Sequence, residues 1–294
     1  MSLAVFAPAK VNLFLHVGPA GPDGFHPICS LMAFADFGDE LSAEPAEDLE
    51  LVLDGPFAAD VPAGEDNLVL RALSAAARHA GTTGGGLRLI LSKQTPAQAG
   101  LGGGSADAAA TLKLIDRWLG LGLSRTVLLD LAANLGSDVA ACLESRPVLA
   151  LGRGERLAPA PALPELPAVL VRPDAACATA EVYRAFDGAG QGVAADRPPL
   201  PAAIGSVSEA ARLLGGCRND LEAPAIGLCA PVGEALAALR AAPEALLARM
   251  SGSGSACFAL CADTASAARL ADRLGRARPD WWVRACRLGG PWRA

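Results

Sequence analysis

The stretch with the clearest chemical potential runs from Thr95 to Leu112 and has the sequence TPAQAGLGGGSADAAATL. Glycine has no Cβ, so the run around Gly102 lets the backbone turn sharply and approach a ligand. Ser105 is a residue type that caps helices, and helix-favouring alanines and leucines follow it. A helix N-terminus offers unpaired N–H groups and the positive end of the helix dipole. The stretch predicts a phosphate-binding loop, and the alternative is a flexible loop before a surface helix.

A polar pair lies in the alternating stretch from Val5 to Val17, which predicts a strand. One face would carry apolar side chains and the other would carry the polar pair with two aromatic rings. The apolar face comprises Val11, Leu13, Leu15 and Val17, and the other comprises Lys10, Asn12, Phe14 and His16. The period-2 pattern thus points Lys10 and Asn12 in the same direction.

Other elements must position these groups. LRLILS, from Leu87, predicts a strand that leads into the glycine loop, and Gly120 and Gly122 mark the end of the helix that follows. A further helix is predicted over Thr126–Leu135, with Gly136 as its stop. Ser137 or Asp138 then opens the next helical segment.

The C-terminal part has a mixed α/β pattern. We expect a helix over residues 231–240, the turn SGSGS, a strand ACFALC, a helix from Thr264 and a final strand WWVRACRL. The proline-rich segment 158–167 cannot continue a helix, so it is the candidate boundary between domains 1–157 and 158–294. GAGQGVAADRPPLP, from Gly188, predicts a long mobile loop.

Composition limits the classes of function. The 294 residues are 52% hydrophobic and 19% charged, which predicts a globular protein of one large or two medium domains, and we expect two. A formal net charge of −6, without a lysine or arginine run, disfavours nucleic-acid binding, so phosphate binding should be focal. The eight cysteines are dispersed without a close metal-ligand pair and are expected to be buried thiols.

Targeting signals and other nucleotide motifs are not recognisable. Lys10 and Asn12 interrupt the apolar N-terminal stretch, and Asp130 and Asp138 interrupt the longest alanine- and leucine-rich region, so we expect a cytoplasmic protein with no membrane partner. The lysine-bearing P-loop pattern is missing from the sequence. The glycine loop also lacks the G-x-G-x-x-G frame with its later acidic residue, which makes a dinucleotide fold a weak competitor.

Three segments in this order resemble the GHMP kinases, small-molecule kinases named for galactokinase, homoserine kinase, mevalonate kinase and phosphomevalonate kinase. They are PAKVNLFLHV at Pro8, GLGGGSADAA at Gly100 and ARMSGSGSACFAL at Ala248. The resemblance implies a two-domain mixed α/β fold and ATP as phosphoryl donor. The chemistry of ATP in turn implies Mg²⁺, which neutralises charge on the phosphates. Further segments, among them LGSDVAACL and CRNDLE, are similar to family members whose substrate is a cytidine diphosphate-linked polyol, phosphorylated on its 2-hydroxyl in non-mevalonate isoprenoid biosynthesis.

The resemblance also implies roles for individual residues. Lys10 and Asp138 match the catalytic pair, in which Asp138 orients the attacking hydroxyl and takes its proton while Lys10 stabilises charge. The residues implied near ATP are Asn67, Lys93, Pro96, Ala97, Gln98, Ala99, Gly100, Leu101, Gly102, Gly103, Gly104, Ser105 and Ala106. Those implied at the substrate are Asn12, Phe25, His26, Thr179 and Tyr183. SGSGS, at Ser251, is expected to close around the reacting phosphates.

Structural roles remain open for the same residues. Asp138 could be only a helix N-cap, and Lys10 a strand lysine that extends its ammonium to solvent. Phe25 and Tyr183 could be core rings. Asp107 is expected to complement the helix dipole from the first turn rather than to contact nucleotide.

Two other functions compete with the cytidine-linked kinase. One is a homoserine- or mevalonate-type kinase on the same fold, and the other is a nucleotide-binding protein that has lost turnover. Phe25, His26 and Tyr183 favour the cytidine-linked substrate, while the presence of both Lys10 and Asp138 favours catalysis.

Overall fold

The fold is described from a computed structural model that covers residues 3–83, 85–190 and 193–292. Within these ranges the chain forms ten strands and nine α-helices, in mixed order, which confirms the predicted mixed α/β class. None of the described helices is both long and apolar enough to span a bilayer.

A single long strand organises the sheet. β2 (Ile28–Pro45) pairs antiparallel with β1 (Leu3–Val17) along one edge. Its other edge pairs in turn with β5 (Val148–Gly152), β10 (Trp282–Gly289) and β4 (Leu87–Ser92). β2 therefore brings strands from the start, middle and end of the chain into one sheet.

The remaining strands extend the sheet on both sides. β3 (Glu50–Asp54) lies parallel to β4, and β6 (Arg156–Pro159) pairs with β5. On the side of β10 the order continues with β7 (Leu166–Arg172), β9 (Cys257–Cys261) and β8 (Ala245–Met250), all antiparallel.

Helices cover this sheet, and four of them begin after a residue whose side chain accepts a backbone N–H. These caps are Asn67, Ser124, Ser206 and Asp263. In chain order the helices are α1 (Leu68–His79), α2 (Gly103–Leu119), α3 (Arg125–Ala133), α4 (Val139–Glu144), α5 (Thr179–Gly188), α6 (Val207–Gly215), α7 (Glu222–Leu228), α8 (Ala230–Arg240) and α9 (Thr264–Ala277). A 3₁₀ turn spans Ala58–Asp60.

Most predicted elements are confirmed, including the strand 87–92, the end of α2 at Gly120 and the elements from α8 to β10. The strand predicted over 5–17 is present, but its single apolar face is wrong. Val11 and Leu13 pack in one cluster, whereas Leu15 and Val17 pack in another. The register of β1 against β2 shifts between Asn12 and Phe14, and such a bulge reverses the alternation.

The predicted domain boundary and the predicted loop both lie in the middle of the chain. The 157/158 boundary falls within β6, and its position stays a prediction. Residues 191 and 192 of the loop predicted from Gly188 lie outside the described residues, and 193–206 contain no helix or named strand. Seven of the eight cysteines are buried, as expected, and Cys229 is half-buried.

Candidate active site

The glycine-rich stretch forms a left-handed turn that opens α2. Gly100 has φ +72° and Gly102 has φ +64°, values that favour glycine because a side chain there is strained. Gly102 is the cap residue and no side chain caps this helix end. The prediction that Ser105 is the cap is therefore wrong: Ser105 is the third residue of the helix and is half-buried. The amides of the first turn are left to bind an anion.

Two other segments hold this loop in place. The amide of Lys10 donates to Leu101 O at 2.8 Å, and that of Ala256 donates to Ala99 O at 2.9 Å. Ser251 Oγ donates to Gly100 O at 2.9 Å and accepts from the amide of Asn12. The loop is thus fixed between β1 and the SGSGS turn.

The SGSGS turn is itself fixed by Asn219, a buried residue of the CRNDLE segment. Asn219 Nδ2 donates to Met250 O at 2.9 Å and to Gly252 O at 2.8 Å, and its Oδ1 accepts from the amide of Leu221. All of its amide atoms are therefore engaged in shaping the turn and its own segment. In the sequence CRNDLE is a mark of family resemblance, and its local pattern carries no signal of this role.

A charged pair lies where the loop, β1 and α4 meet. Lys10 Nζ is 3.0 Å from Asp138 Oδ2 and donates to Asn12 Oδ1 at 2.6 Å, which confirms that Lys10 and Asn12 point the same way. Asn12 Nδ2 donates to Ser30 Oγ, so the amide holds Lys10 in position. Asp138 occupies the cap position of α4, but its side chain makes no capping hydrogen bond. Its 27% exposed carboxylate pairs with Lys10 instead.

Lys93 lies beneath the loop in a buried charge cluster. Its Nζ is 2.6 Å from Asp39 Oδ2 and 2.8 Å from Asp107 Oδ2. Asp39 Oδ1 also accepts the amides of Gln94 and Thr95, so Asp39 ties the end of β4 to the ammonium. Burial alone would lower the pKa of Lys93, but the two carboxylates raise it and keep the lysine charged.

Asp107 does not have the position expected from the sequence. It is the fifth residue of α2 rather than a first-turn residue, and it is buried with its Oδ1 unpartnered. Burial raises its pKa to about 8 although Lys93 opposes the shift. The expectation that it complements the helix dipole from the first turn is therefore wrong. Its partner is Lys93.

These groups surround a cavity of about 610 Å³. Most residues expected near ATP line it, namely Asn67, Lys93, Pro96, Ala97, Gln98, Ala99, Gly100, Gly102, Gly103, Gly104 and Ser105. Leu101 and Ala106 face the core instead. Asn67 caps α1 through Oδ1 and donates to Pro62 O, so a structural role is visible beside its predicted one. We refer to this cavity as the phosphate cavity.

A second cavity of about 900 Å³ contains Phe25 and His26, and we call it the aromatic cavity. Phe25 is 54% exposed, which contradicts a core role. The His26 ring lies 5.0 Å from that of Tyr183, and its Nδ1 is 2.9 Å from Gly18 O. Burial raises the pKa of Tyr183 to about 12, so its phenol stays protonated.

Thr179 lies apart from the aromatic cavity. Its Oγ1 is 2.9 Å from Ser253 Oγ, and both residues line the phosphate cavity together with Lys10, Asn12 and Asp138. The structure thus brings the predicted catalytic pair, Asn12 and Thr179 beside the glycine loop, and places Phe25 and His26 in the neighbouring cavity.

Comparison with known proteins gives two family matches. The model for the GHMP kinases N terminal domain matches residues 67–146, and that for the GHMP kinases C terminal matches residues 200–280. A 4-diphosphocytidyl-2-C-methyl-D-erythritol kinase of Caulobacter vibrioides is 55% identical over 289 residues, covering 98% of this chain and 100% of the relative. One of Hyphomonas neptunium is 48% identical over 293 residues, covering 98% and 97%.

Solved structures show the same fold. A crystal structure of a 4-(cytidine 5'-diphospho)-2C-methyl-D-erythritol kinase has a TM-score of 0.77 at 36% identity and covers 98% of this chain and 100% of that one. The homoserine kinase of Cytophaga hutchinsonii has a TM-score of 0.71 at 20% identity, with 99% and 96% covered, and shares the fold.

Proposed function

Because the chain belongs to the GHMP kinase family, we propose that it transfers the γ-phosphoryl group of ATP to the 2-hydroxyl of 4-diphosphocytidyl-2-C-methyl-D-erythritol, a step in making isoprenoid precursors. The observation that carries the proposal is the position of the Lys10–Asp138 pair beside the first turn of α2 and next to the aromatic cavity. One continuous site would then hold donor, acceptor and catalytic groups.

The chemistry follows from the positions of these groups. Asp138 accepts the proton of the attacking hydroxyl and orients its oxygen toward the γ-phosphorus. Lys10 pairs with the Asp138 carboxylate at 3.0 Å and stabilises the charge that develops on the transferred group. The first-turn amides of α2 bind the phosphates of ATP. In P-loop proteins a lysine side chain shares this task with the backbone amides.

Magnesium belongs to the proposal because it neutralises charge on ATP phosphates during transfer. The described residues contain no group of three histidines, cysteines or acids that could hold a metal alone. Mg²⁺ at such sites is held by one or two carboxylates together with substrate phosphates, so a preformed cluster is not required. Asp107 lines the phosphate cavity and has an oxygen without a partner, and in its ionised form it would supply the protein ligand.

The proposed enzyme acts on small molecules in the cytoplasm and has no nucleic-acid or membrane partner. ATP is the co-substrate, and the acceptor is a cytidine diphosphate-linked polyol. The sites expected at Lys93, Asn67 and Thr179 are part of this proposal.

The proposal predicts that the purified protein converts Mg-ATP and 4-diphosphocytidyl-2-C-methyl-D-erythritol into ADP and the 2-phosphate. Product formation is followed by ³¹P NMR, with homoserine and mevalonate as competing acceptors and EDTA as the metal control. We expect the enzyme to phosphorylate the cytidine substrate but neither homoserine nor mevalonate, and we expect EDTA to abolish this activity. Equal turnover of homoserine or mevalonate would refute the acceptor, and full activity in EDTA would refute the role of Mg²⁺.

Recognition of the base is expected to depend on Tyr183. Stacking of a base on an aromatic ring contributes about 1–3 kcal/mol, so Tyr183→Ala should raise KM for the cytidine substrate about 5- to 150-fold and leave KM for ATP nearly unchanged. Tyr183→Phe keeps the ring and is the matched control, with KM expected within about threefold of the wild type. If Tyr183→Ala folds and its KM for the cytidine substrate is unchanged, the Tyr183 ring contributes only to packing and does not stack on the base.

A further inference from the structure

The phosphate cavity and the aromatic cavity share a short wall. Four described residues line both of them, namely Ile28, Ser137, Arg153 and Tyr183. Of these four, only Arg153 is a cation. Its neighbours on the wall are an aliphatic side chain, a hydroxyl and a phenol, so Arg153 is the residue of this wall that can form an ion pair with a bound anion.

The order of groups along the proposed substrate matches the order of the cavities. The cytosine base lies at one end, the polyol hydroxyl at the other, and the diphosphate between them. With the base against Phe25 and Tyr183 and the hydroxyl at Asp138, the diphosphate must cross the shared wall. The diphosphate, which is the anionic part of the substrate, therefore lies next to Arg153, the cation of the wall.

Arg153 has the geometry to receive it. The residue stands in a turn between Gly152 and Gly154, both with positive φ, and its amide donates to Glu155 Oε2 at 2.7 Å. Its guanidinium lies 4.0 Å above the centre of the Phe25 ring, in the range of a cation–π contact. Nη2 pairs with Asp23, and among the described residues neither Nε nor Nη1 has a hydrogen-bond acceptor.

Other cations near the site are less suited to this task. Lys10 is engaged by Asp138 and Asn12, and Lys93 by two buried carboxylates. Arg184 lines the aromatic cavity but not the shared wall. A planar guanidinium with free N–H groups is also the side chain that binds phosphate oxygens in a bidentate manner.

We infer that Arg153 binds the diphosphate of the substrate and, through its contact with Phe25, couples that charge to the platform on which the base stacks. The inference rests on the proposed function. It makes Arg153 a specificity residue that distinguishes a nucleoside diphosphate from the free nucleoside.

The test measures Kd for cytidine, CMP and CDP by isothermal titration calorimetry in the wild type and in Arg153→Ala. We expect the wild type to bind CDP more tightly than cytidine, and Arg153→Ala to weaken CDP about tenfold, as expected for one charge-assisted contact. Cytidine should change less than threefold. Arg153→Lys keeps the positive charge but lacks the planar guanidinium that can bind two phosphate oxygens. It should therefore retain part of the preference for CDP over cytidine.

Asp23→Asn is the matched control, because it removes the ion pair while leaving Arg153 in place and the acceptor for the Phe25 amide intact. If Arg153 only anchored the 21–25 turn, Asp23→Asn would lose CDP affinity to the same degree. We expect it to keep or increase that affinity, since the guanidinium is released.

The possible outcomes distinguish a failure of this inference from a failure of the proposed function. If none of the three probes binds to the wild type, the proposed function fails and the inference fails with it. If they bind but Arg153→Ala leaves the ratio of the cytidine and CDP Kd values unchanged, the role of Arg153 is refuted and the proposed function stands. Equal loss of CDP affinity in Asp23→Asn and Arg153→Ala would also refute it.

Discussion

Replacing Asp138 with asparagine should lower kcat about 100-fold or more and leave ATP affinity nearly unchanged. An amide cannot accept the proton of the attacking hydroxyl, and it no longer balances the ammonium of Lys10 at 3.0 Å. General-base catalysis contributes about 10²–10⁴-fold, and the loose transition state of phosphoryl transfer favours the lower end of that range. The measurement is steady-state kinetics for both substrates, with circular dichroism as a check of the fold.

Asp263→Asn is the matched control for this substitution. Asp263 is a true N-cap, whose side chain accepts the amide of Ser266 at 2.6 Å, and it lies on α9 away from both cavities. Asparagine caps helices about as well as aspartate, so this variant should keep wild-type kinetics. A folded Asp138→Asn enzyme with more than about a third of wild-type kcat would exclude the general-base role, since that deficit is under about 1 kcal/mol of barrier.

Gly100→Ala should disable nucleotide binding through backbone displacement alone. Gly100 has φ +72°, and a Cβ there would overlap the carbonyl oxygen of Ser251 and lie 3.0 Å from Gly254 O. These are backbone atoms that cannot rotate away, so the glycine loop and the SGSGS turn must separate. A displacement of about 1 Å in a catalytic site can cost about 100-fold, and we expect a loss of this size in kcat/KM for ATP.

Gly120→Ala separates backbone strain from collision. Gly120 ends the same helix with φ +63°, and nothing lies within 4 Å of a Cβ built there. Gly120→Ala should lower the free energy of unfolding by about 1–2 kcal/mol, which is the cost of an alanine in the left-handed conformation. It should leave ATP binding unchanged. Both variants are compared by thermal unfolding, by kcat/KM for ATP and by binding of a fluorescent ADP analogue. The prediction fails if folded Gly100→Ala binds this probe within threefold of the wild type.

The sequence alone determined the features that depend on near neighbours. The strand 87–92 and the end of α2 at Gly120 were predictable because alternation and a glycine stop are local signals. The common direction of Lys10 and Asn12 followed from the two-residue period of a strand. Of the site, the glycine loop and the helix that begins directly after it were foreseeable for the same reason.

The tertiary structure decided which distant residues meet. Asp138 faces Lys10 because α4 packs near β1, so a side chain that could have capped a helix became a partner for an ammonium instead. Asp107 does not have its expected role because it lies beyond the first turn of α2 and the fold buries it against Lys93. The local sequence does not determine these contacts, because they arise from the pairing of β2 with strands from the start, middle and end of the chain.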